Sequence, residues 1–331
     1  MDTKTTYLGL TLPHPFIAGA GPFADSIDNA KRIEDGGASA IVMRSLFEEQ
    51  IDSEAMATHK AIDNHAESYA EARSYFVEPI EFVVGPDEYL ENVRRLKETL
   101  RIPVIASLNG YSTGGWLEYA MKIEEAGADA LELNVYYVPT EERESGDEIE
   151  TRTVAMVGDM KKAIRIPVAV KLSAFYTALP NFARRLEVAG ADGLVLFNRL
   201  FEADIDIEQL AVISQMHLST SSELLLRLRW LAILSGRLHS TNLAVSGGVH
   251  TSIDAIKAVM AGASAIQMVA AIFKNGPTHV GTICREMVSW MDEKGYDSIG
   301  QMRGSMNILR SPNPREYERA NYLKILQTWE G

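Results

Sequence analysis

The chain has 331 residues, 46% of them hydrophobic and 23% charged, enough apolar material for a sizeable core and too much for a disordered chain. Its formal net charge of −13 and pI near 5.1 argue against nucleic acid or an anionic membrane as partner. A single cysteine, Cys284, excludes an internal disulfide and a cysteine-ligated iron–sulfur cluster.

Met1 to Leu10 lacks the basic-then-apolar layout of a signal peptide, and no apolar run approaches the roughly 20 residues that span a bilayer. A cytoplasmic protein is expected. The first strand signal is Phe16 to Gly21, followed by an amphipathic stretch from Ser26 to Asp35. Gly36-Gly37-Ala38 then leads into the short apolar run ending at Met43. The same join recurs at Gly127-Ala128, Gly190-Ala191 and Gly262-Ala263, each opening a strand. Glycine closes a helix in the left-handed conformation without a Cβ penalty, and the chain turns into a strand. Interleaved are strands opened by proline, Ile102 to Leu108 and Ile166 to Leu172, where the missing N–H costs no ladder bond. Asn242 to Gly248 has the same look. Helical patterns run from Asp87 to Leu100, Gly115 to Ala126, Thr151 to Ile164, Asn181 to Ala189, Glu223 to Leu234 and Ser252 to Ala261.

Apolar strands alternating with amphipathic helices mean a parallel sheet covered on both faces. The eight units favour an α/β fold, a single (β/α)8 TIM barrel over 1–331, rather than an open doubly wound sheet. Two connections are too long for simple loops: residues 47–86 after the second strand and 137–150 after the fourth. Both fall on the C-terminal face, where barrels carry their chemistry, and read as lids.

The strand ends on that face carry Arg44, Ser45, Asn109, Asn134, Lys171, Asn198, Gly247, Gly248 and the backbone near Val269 and Ala270. Asn134 and Asn198 could equally satisfy a loop backbone. Lys171, flanked by Val170 and Leu172, must point into the barrel mouth or outward among helices, and burying it unpaired is costly. A functional role is the better reading. The Gly247-Gly248 pair resembles a barrel phosphate site, although a simple glycine turn fits the same residues. Gly19-Ala20-Gly21-Pro22-Phe23-Ala24 matches a dinucleotide pattern, but Arg44 stands where an acidic residue should end the second strand. His59 and His65 lack the spacing of a helical metal pair, so no metal is expected, and the acidic run Glu141 to Glu150 reads as a solvated loop.

Taken together, Pro15 to Gly21, Arg44-Ser45, Leu133-Asn134, Val168 to Leu172, Asn198 and Ser246-Gly247-Gly248-Val249 resemble the dihydroorotate dehydrogenase family, over nearly the whole chain. The resemblance implies an FMN-dependent flavoprotein oxidoreductase acting on a CH–CH bond, with hydride passing to or from flavin N5. Dihydroorotate-to-orotate conversion in pyrimidine biosynthesis is the default label. It also implies a cytosolic class 1-like homodimer. By the same resemblance Gly19, Ala20, Arg44, Ser45, Asn109, Asn134, Lys171, Ser246, Gly247, Gly248, Val269 and Ala270 touch FMN. Lys171 then faces the flavin edge that gathers negative charge on reduction. Arg44, Asn134, Asn198 and Arg199 line a small anionic cyclic substrate.

The chain also departs from the family. The run after the fourth strand reads Asn134-Val135-Tyr136-Tyr137-Val138-Pro139, so Tyr137 takes the position of the usual Cys or Ser base. A phenol of pKa about 10 suits a proton donor better than a base, which favours alkene reduction. The tyrosine could equally be lid packing. The asparagine-rich substrate loop is absent from 64–86, and Arg199 follows Asn198 where a small hydroxyl residue is common. Without cluster ligands, electrons must pass to a soluble acceptor or a redox partner protein. The competing readings are a barrel lyase or isomerase using Lys171 as a Schiff base on a phosphorylated substrate, and a non-catalytic flavin-binding partner.

Overall fold

The computed structural model describes residues 1–51, 85–110, 116–199, 203–214 and 217–328. Its first element is one that the hydropathy pattern does not signal. β1 (Thr5–Tyr7) and β2 (Leu10–Leu12) form an antiparallel hairpin, turned by Leu8 and Gly9 with φ of 53 and 72°. The eight barrel strands follow, in the order the sequence implies: β3 (Phe16–Ala18), β4 (Ile41–Val42), β6 (Val104–Asn109), β7 (Ala130–Asn134), β8 (Val168–Leu172), β9 (Gly193–Leu196), β12 (Asn242–Ser246) and β13 (Ala265–Met268). All their pairings are parallel, and contact of β4 with both β3 and β6 closes the cylinder. Three further strands are accessory: β5 (Leu46–Phe47) extends the barrel beside β6, while β10 (Ala203–Asp206) and β11 (Ala211–Ser214) make a separate hairpin.

Helices cover the outside: α1 (Ile27–Asp35), α2 (Pro86–Thr99), α3 (Trp116–Glu125), α4 (Gly146–Ala163), α5 (Leu179–Val188), α6 (Leu224–Ser235), α7 (Ser252–Ala261), α8 (Ala270–Asn275) and α9 (His279–Glu293). Two further helices, α10 (Ile299–Met302) and α11 (Ala320–Thr328), end the described chain. The joins read from the sequence are real: Gly37, Gly127, Gly190 and Gly262 have φ of 95, 94, 101 and 128°. α4 starts earlier than its apolar period suggests. Ser145 accepts from the Glu148 N–H and Glu148 reciprocates, a capping box that turns residues 146–150 of the expected loop into helix. Asp147 and Glu148 then sit favourably at a helix N-terminus, so the acidic run is a cap as well as a solvated face. The expected lid over 47–86 lies mostly outside the described residues, as do His59 and His65.

Strand alternation divides the core in two. Outward side chains pack under the helices in one large cluster. Inward ones, Ile17, Val42, Ile105, Ala130, Ala169, Val195, Ala244 and Ala265, form a second cluster with Tyr7, Leu8 and Leu12. The small alanines leave room at the bottom of the cylinder, and the hairpin fills it. Leu8 packs so closely that a Cβ on Gly193 would lie 2.7 Å from its Cδ2. Thr5 Oγ1 donates to Ser264 O and Leu8 N to Asn242 Oδ1, which tie the plug in place. Burying Leu8 and Leu12 contributes roughly 2 kcal/mol each.

Candidate active site

One step further along each strand, the period of two carries the interior from apolar to polar. Above Ile105, Ala130, Ala169 and Ala265 come Ser107, Glu132, Lys171 and Gln267, exposed by only 0, 1, 6 and 1%. Lys171 therefore points inward. Its Nζ lies 3.2 Å from Glu132 Oε1 and 3.4 Å from Gln267 Oε1. The Gln267 amide donates to the other Glu132 oxygen, closing a three-residue ring across β7, β8 and β13. Glu132 and Gln267 are residues that the sequence reading missed. Beneath them the Tyr7 hydroxyl is buried without a hydrogen-bond partner among the described residues. Burial, then the nearby Glu132 charge, pushes that phenol well above its usual pKa.

Above this ring opens a pocket of ≈ 310 Å³. Of the strand-end residues Arg44, Ser45, Asn134, Lys171, Asn198, Gly247, Val269 and Ala270 reach its wall, and so do Ala20, Arg199 and Ser246, named through the family resemblance. Phe47, Phe197 and Phe273 give it apolar sides. Ser107, Ser45, Asn134 and Asn198 form one hydrogen-bonded chain: Ser45 Oγ is 2.8 Å from Ser107 Oγ, Asn134 Nδ2 donates to Ser45 at 3.2 Å, and Asn198 donates to Asn134 Oδ1. Two cations at the rim already have partners, Arg44 with Asp25, and Arg199 with His217 O and Glu223. Asn109 ends β6 beside Phe47 and Asn134, buried but off the pocket wall.

Gly19 and Gly248 stand behind the wall. A Cβ on Gly19 would lie 2.8 Å from Val269 Cγ2, so this glycine admits β13 against β3. Gly247 and Gly248 have φ of 82 and 81°, which disfavour any L side chain. The space a Cβ would take is already filled. At Gly247 it meets the Arg227 guanidinium at 3.0 Å, and at Gly248 the Leu224 backbone N at 2.6 Å. The pair therefore admits the first turns of α6, and with it Arg227, a buried pocket residue absent from the sequence reading.

Tyr137 lies elsewhere. It lines a neighbouring pocket of ≈ 520 Å³ between the segments after β7 and β8, and is not on the wall that Lys171 shares. Its hydroxyl donates to Glu144 Oε2 at 2.6 Å, while Arg152 bridges from Glu144 to the face of the Tyr137 ring. The hydrogen bond to Glu144 chiefly raises the Tyr137 pKa. Of the two readings of Tyr137, proton donor or lid packing, this arrangement is that of packing, because the loop carries residue 137 outward past β7. Among the described residues no group of His, Cys, Asp and Glu could hold a metal ion, and no helix is long and apolar enough to cross a membrane.

The family model for dihydroorotate dehydrogenase matches residues 2–291. The catalytic subunit of dihydroorotate dehydrogenase B (NAD(+)) from Thermoplasma volcanium is 27% identical over 312 residues, covering 92% of this chain and 98% of the relative. The same-named subunit from Methanothermobacter thermautotrophicus is 27% identical over 308 residues, covering 91 and 97%. The chloroplastic dihydropyrimidine dehydrogenase (NADP(+)) of Arabidopsis thaliana is 23% identical over 330 residues, covering 92 and 76%.

Proposed function

The chain belongs to the dihydroorotate dehydrogenase family and is an oxidoreductase, and from that premise we propose that it acts on a CH–CH bond with FMN as its cofactor. Bound FMN supplies hydride chemistry at N5. The pocket chemistry fits such a group. It offers a buried ammonium at one end, phenylalanine sides for a flat ring, and a buried guanidinium beside two glycines at the other.

In this reading Lys171, itself buried, would hold a fixed positive charge toward the part of bound FMN that gathers negative charge on reduction. Glu132 and Gln267 keep its Nζ at that height. Ser45, Asn134 and Asn198 offer a linked set of donors and acceptors to a small cyclic amide, and Arg44 or Arg199 meets an anionic substituent by exchanging its present partner. Gly19, Ala20, Asn109, Ser246, Gly248, Val269 and Ala270 shape the cofactor side. Conversion of dihydroorotate to orotate is the default reaction, and a related dihydropyrimidine is the second candidate. We further propose a single cytoplasmic FMN domain over 1–331, a homodimer, and delivery of electrons to a soluble acceptor or a redox partner protein.

The observation that carries this proposal is Lys171 facing the pocket, buried among polar neighbours above an otherwise apolar barrel. The test is the visible spectrum of the purified protein, followed by anaerobic addition of dihydroorotate and of dihydropyrimidines. Yellow protein bleached by one of them is expected. Colourless protein that does not take up FMN overturns the reading. Borohydride trapping of a carbonyl substrate on Lys171 would support lyase chemistry instead.

A further inference from the structure

Arg227 is 6% exposed, yet it has no carboxylate partner. Its Nε donates to Ser246 O and its Nη1 to Glu223 O at 2.7 Å, both neutral carbonyls. Among the described residues Nη2 makes no hydrogen bond, and it lies against Gly247 at the pocket wall. A buried guanidinium held only by carbonyls is expensive, and an apolar side chain of similar length would fill the same volume without that cost. The chain nevertheless bends through two left-handed glycines to seat it.

Its surroundings add positive charge. Lys274 Nζ donates to Ser219 O at 2.8 Å and forms no ion pair among the described residues. Ser219 in turn touches Gly248 N and His250 Nε2. Glu223 lies close enough to attract Arg227, and Arg199 close enough to repel it. Against these three cations stands Glu223, which pairs with Arg199. The other nearby acid, Asp254, is occupied by Ser221 and by the His250 and Thr251 N–H groups. Three cations there stand against two acids that are already engaged, an excess of positive charge that suits an anionic ligand.

We propose that Arg227 is the residue that recognises a phosphate monoester in this pocket, so that binding depends on the dianion rather than on the ring attached to it. A planar guanidinium with a free Nη2 matches phosphate oxygens, and Lys274, bonded to the carbonyl of the pocket residue Ser219, adds positive charge from behind the wall. The proposal deepens the FMN reading and rests on it for the identity of the ligand. The recognition of phosphate stands on Arg227 itself.

The test uses the full chain freed of flavin, titrated with FMN and with riboflavin by quenching of flavin fluorescence. The parent is expected to bind FMN about 10²-fold more tightly than riboflavin, as removal of charge-assisted hydrogen bonds implies. Arg227→Met should lose about that factor for FMN and leave riboflavin binding unchanged, which also shows that the variant is folded. Inorganic phosphate should compete with FMN and not with riboflavin. If Arg227→Met does not fold, Lys274→Met, at an exposed residue, should still lower FMN affinity several-fold with riboflavin unaffected. Equal parent affinities for the two flavins overturn the proposal and leave the flavin reading intact, as does an unchanged FMN-to-riboflavin ratio in the variants. If neither flavin binds but phosphate raises the melting temperature of the parent and not of Arg227→Met, the flavin reading fails and the phosphate site stands. No phosphate effect in that case overturns both.

Discussion

Lys171 and Arg227 are equally buried, and both face one pocket, yet they are neutralised in different ways. Lys171 sits in a ring with the Glu132 carboxylate and the Gln267 amide, so its charge is balanced before any ligand arrives. Arg227 has carbonyls on two sides and nothing ionised bonded to it. A compensated cation suits a ligand edge whose charge changes during reaction, because the site remains stable when that edge is neutral. An uncompensated one suits a group that is always anionic. On the proposed function the two ends divide chemistry from anchorage.

The largest expected effect tests the chemical end. Lys171→Met should slow flavin reduction by substrate about 10³-fold, as loss of one preorganised electrostatic group does, while bound flavin is retained because Arg227 is untouched. Stopped-flow bleaching measures it, and a rate near that of the parent would break the assigned division. Next comes the ring itself. Glu132→Ala leaves Lys171 buried without its carboxylate and should destabilise the protein by about 3 kcal/mol in urea unfolding. The double variant Glu132→Leu/Lys171→Met should recover much of that loss, and additivity of the two single changes would show that the pair is not coupled.

Glu187 on α5 offers a mirror image of Arg227, a buried anion whose partners include several neutral donors. The His239, Ser240 and Thr241 N–H groups all reach its Oε1, and Arg184 bonds the other oxygen. Burial works to raise its pKa, but the Ser240 and His239 N–H groups, with Arg184 and the Ser240 hydroxyl, overcome this and hold it at about 2. A folded-state pKa below the unfolded value contributes stability that is complete above the unfolded pKa and lost as pH falls toward about 2. Glu187→Gln should cost about 2 kcal/mol at neutral pH and flatten the acid limb of a stability–pH curve between about pH 4.5 and 2. A curve as steep as that of the parent would show that neutral donors do not hold this charge.

The smallest effect is expected at Tyr137. Its hydroxyl is engaged with Glu144 in the adjoining pocket, so Tyr137→Phe should change turnover less than about two-fold, the range of a solvent-screened contact. A loss beyond ten-fold in a steady-state assay would mean that the loop swings the phenol back over Lys171, and the chemical end would then include a residue that this arrangement leaves out.

Much of this was legible in the residues. The Gly-Ala joins and proline-led strands count out the barrel because caps and strand entries are local chemistry. Lys171 betrays itself as the one charge inside Val168 to Leu172. Glu132 in Leu131-Glu132-Leu133 and Gln267 in Ile266-Gln267-Met268 send the same signal, and it was available to be read. Arg227 sends none. It shares a leucine-rich helix with Arg229, and no periodicity distinguishes the buried arginine from its exposed neighbour. The plug hairpin was equally silent, since three-residue strands are too short to show alternation.

By itself, then, the sequence determined the alternation of strand and helix and the count of eight, while leaving open which face of each strand turns inward. These follow from a period of two and from glycine at helix ends, which no distant residue can alter. Only the tertiary structure decided who meets whom: Glu132 with Lys171 across 39 positions, Gln267 with Lys171 across 96, Arg227 over Gly247, and Tyr137 turned to Glu144. Those meetings depend on the stagger of neighbouring strands and on how a helix or loop lies against the barrel, quantities set by the packing of the whole cylinder.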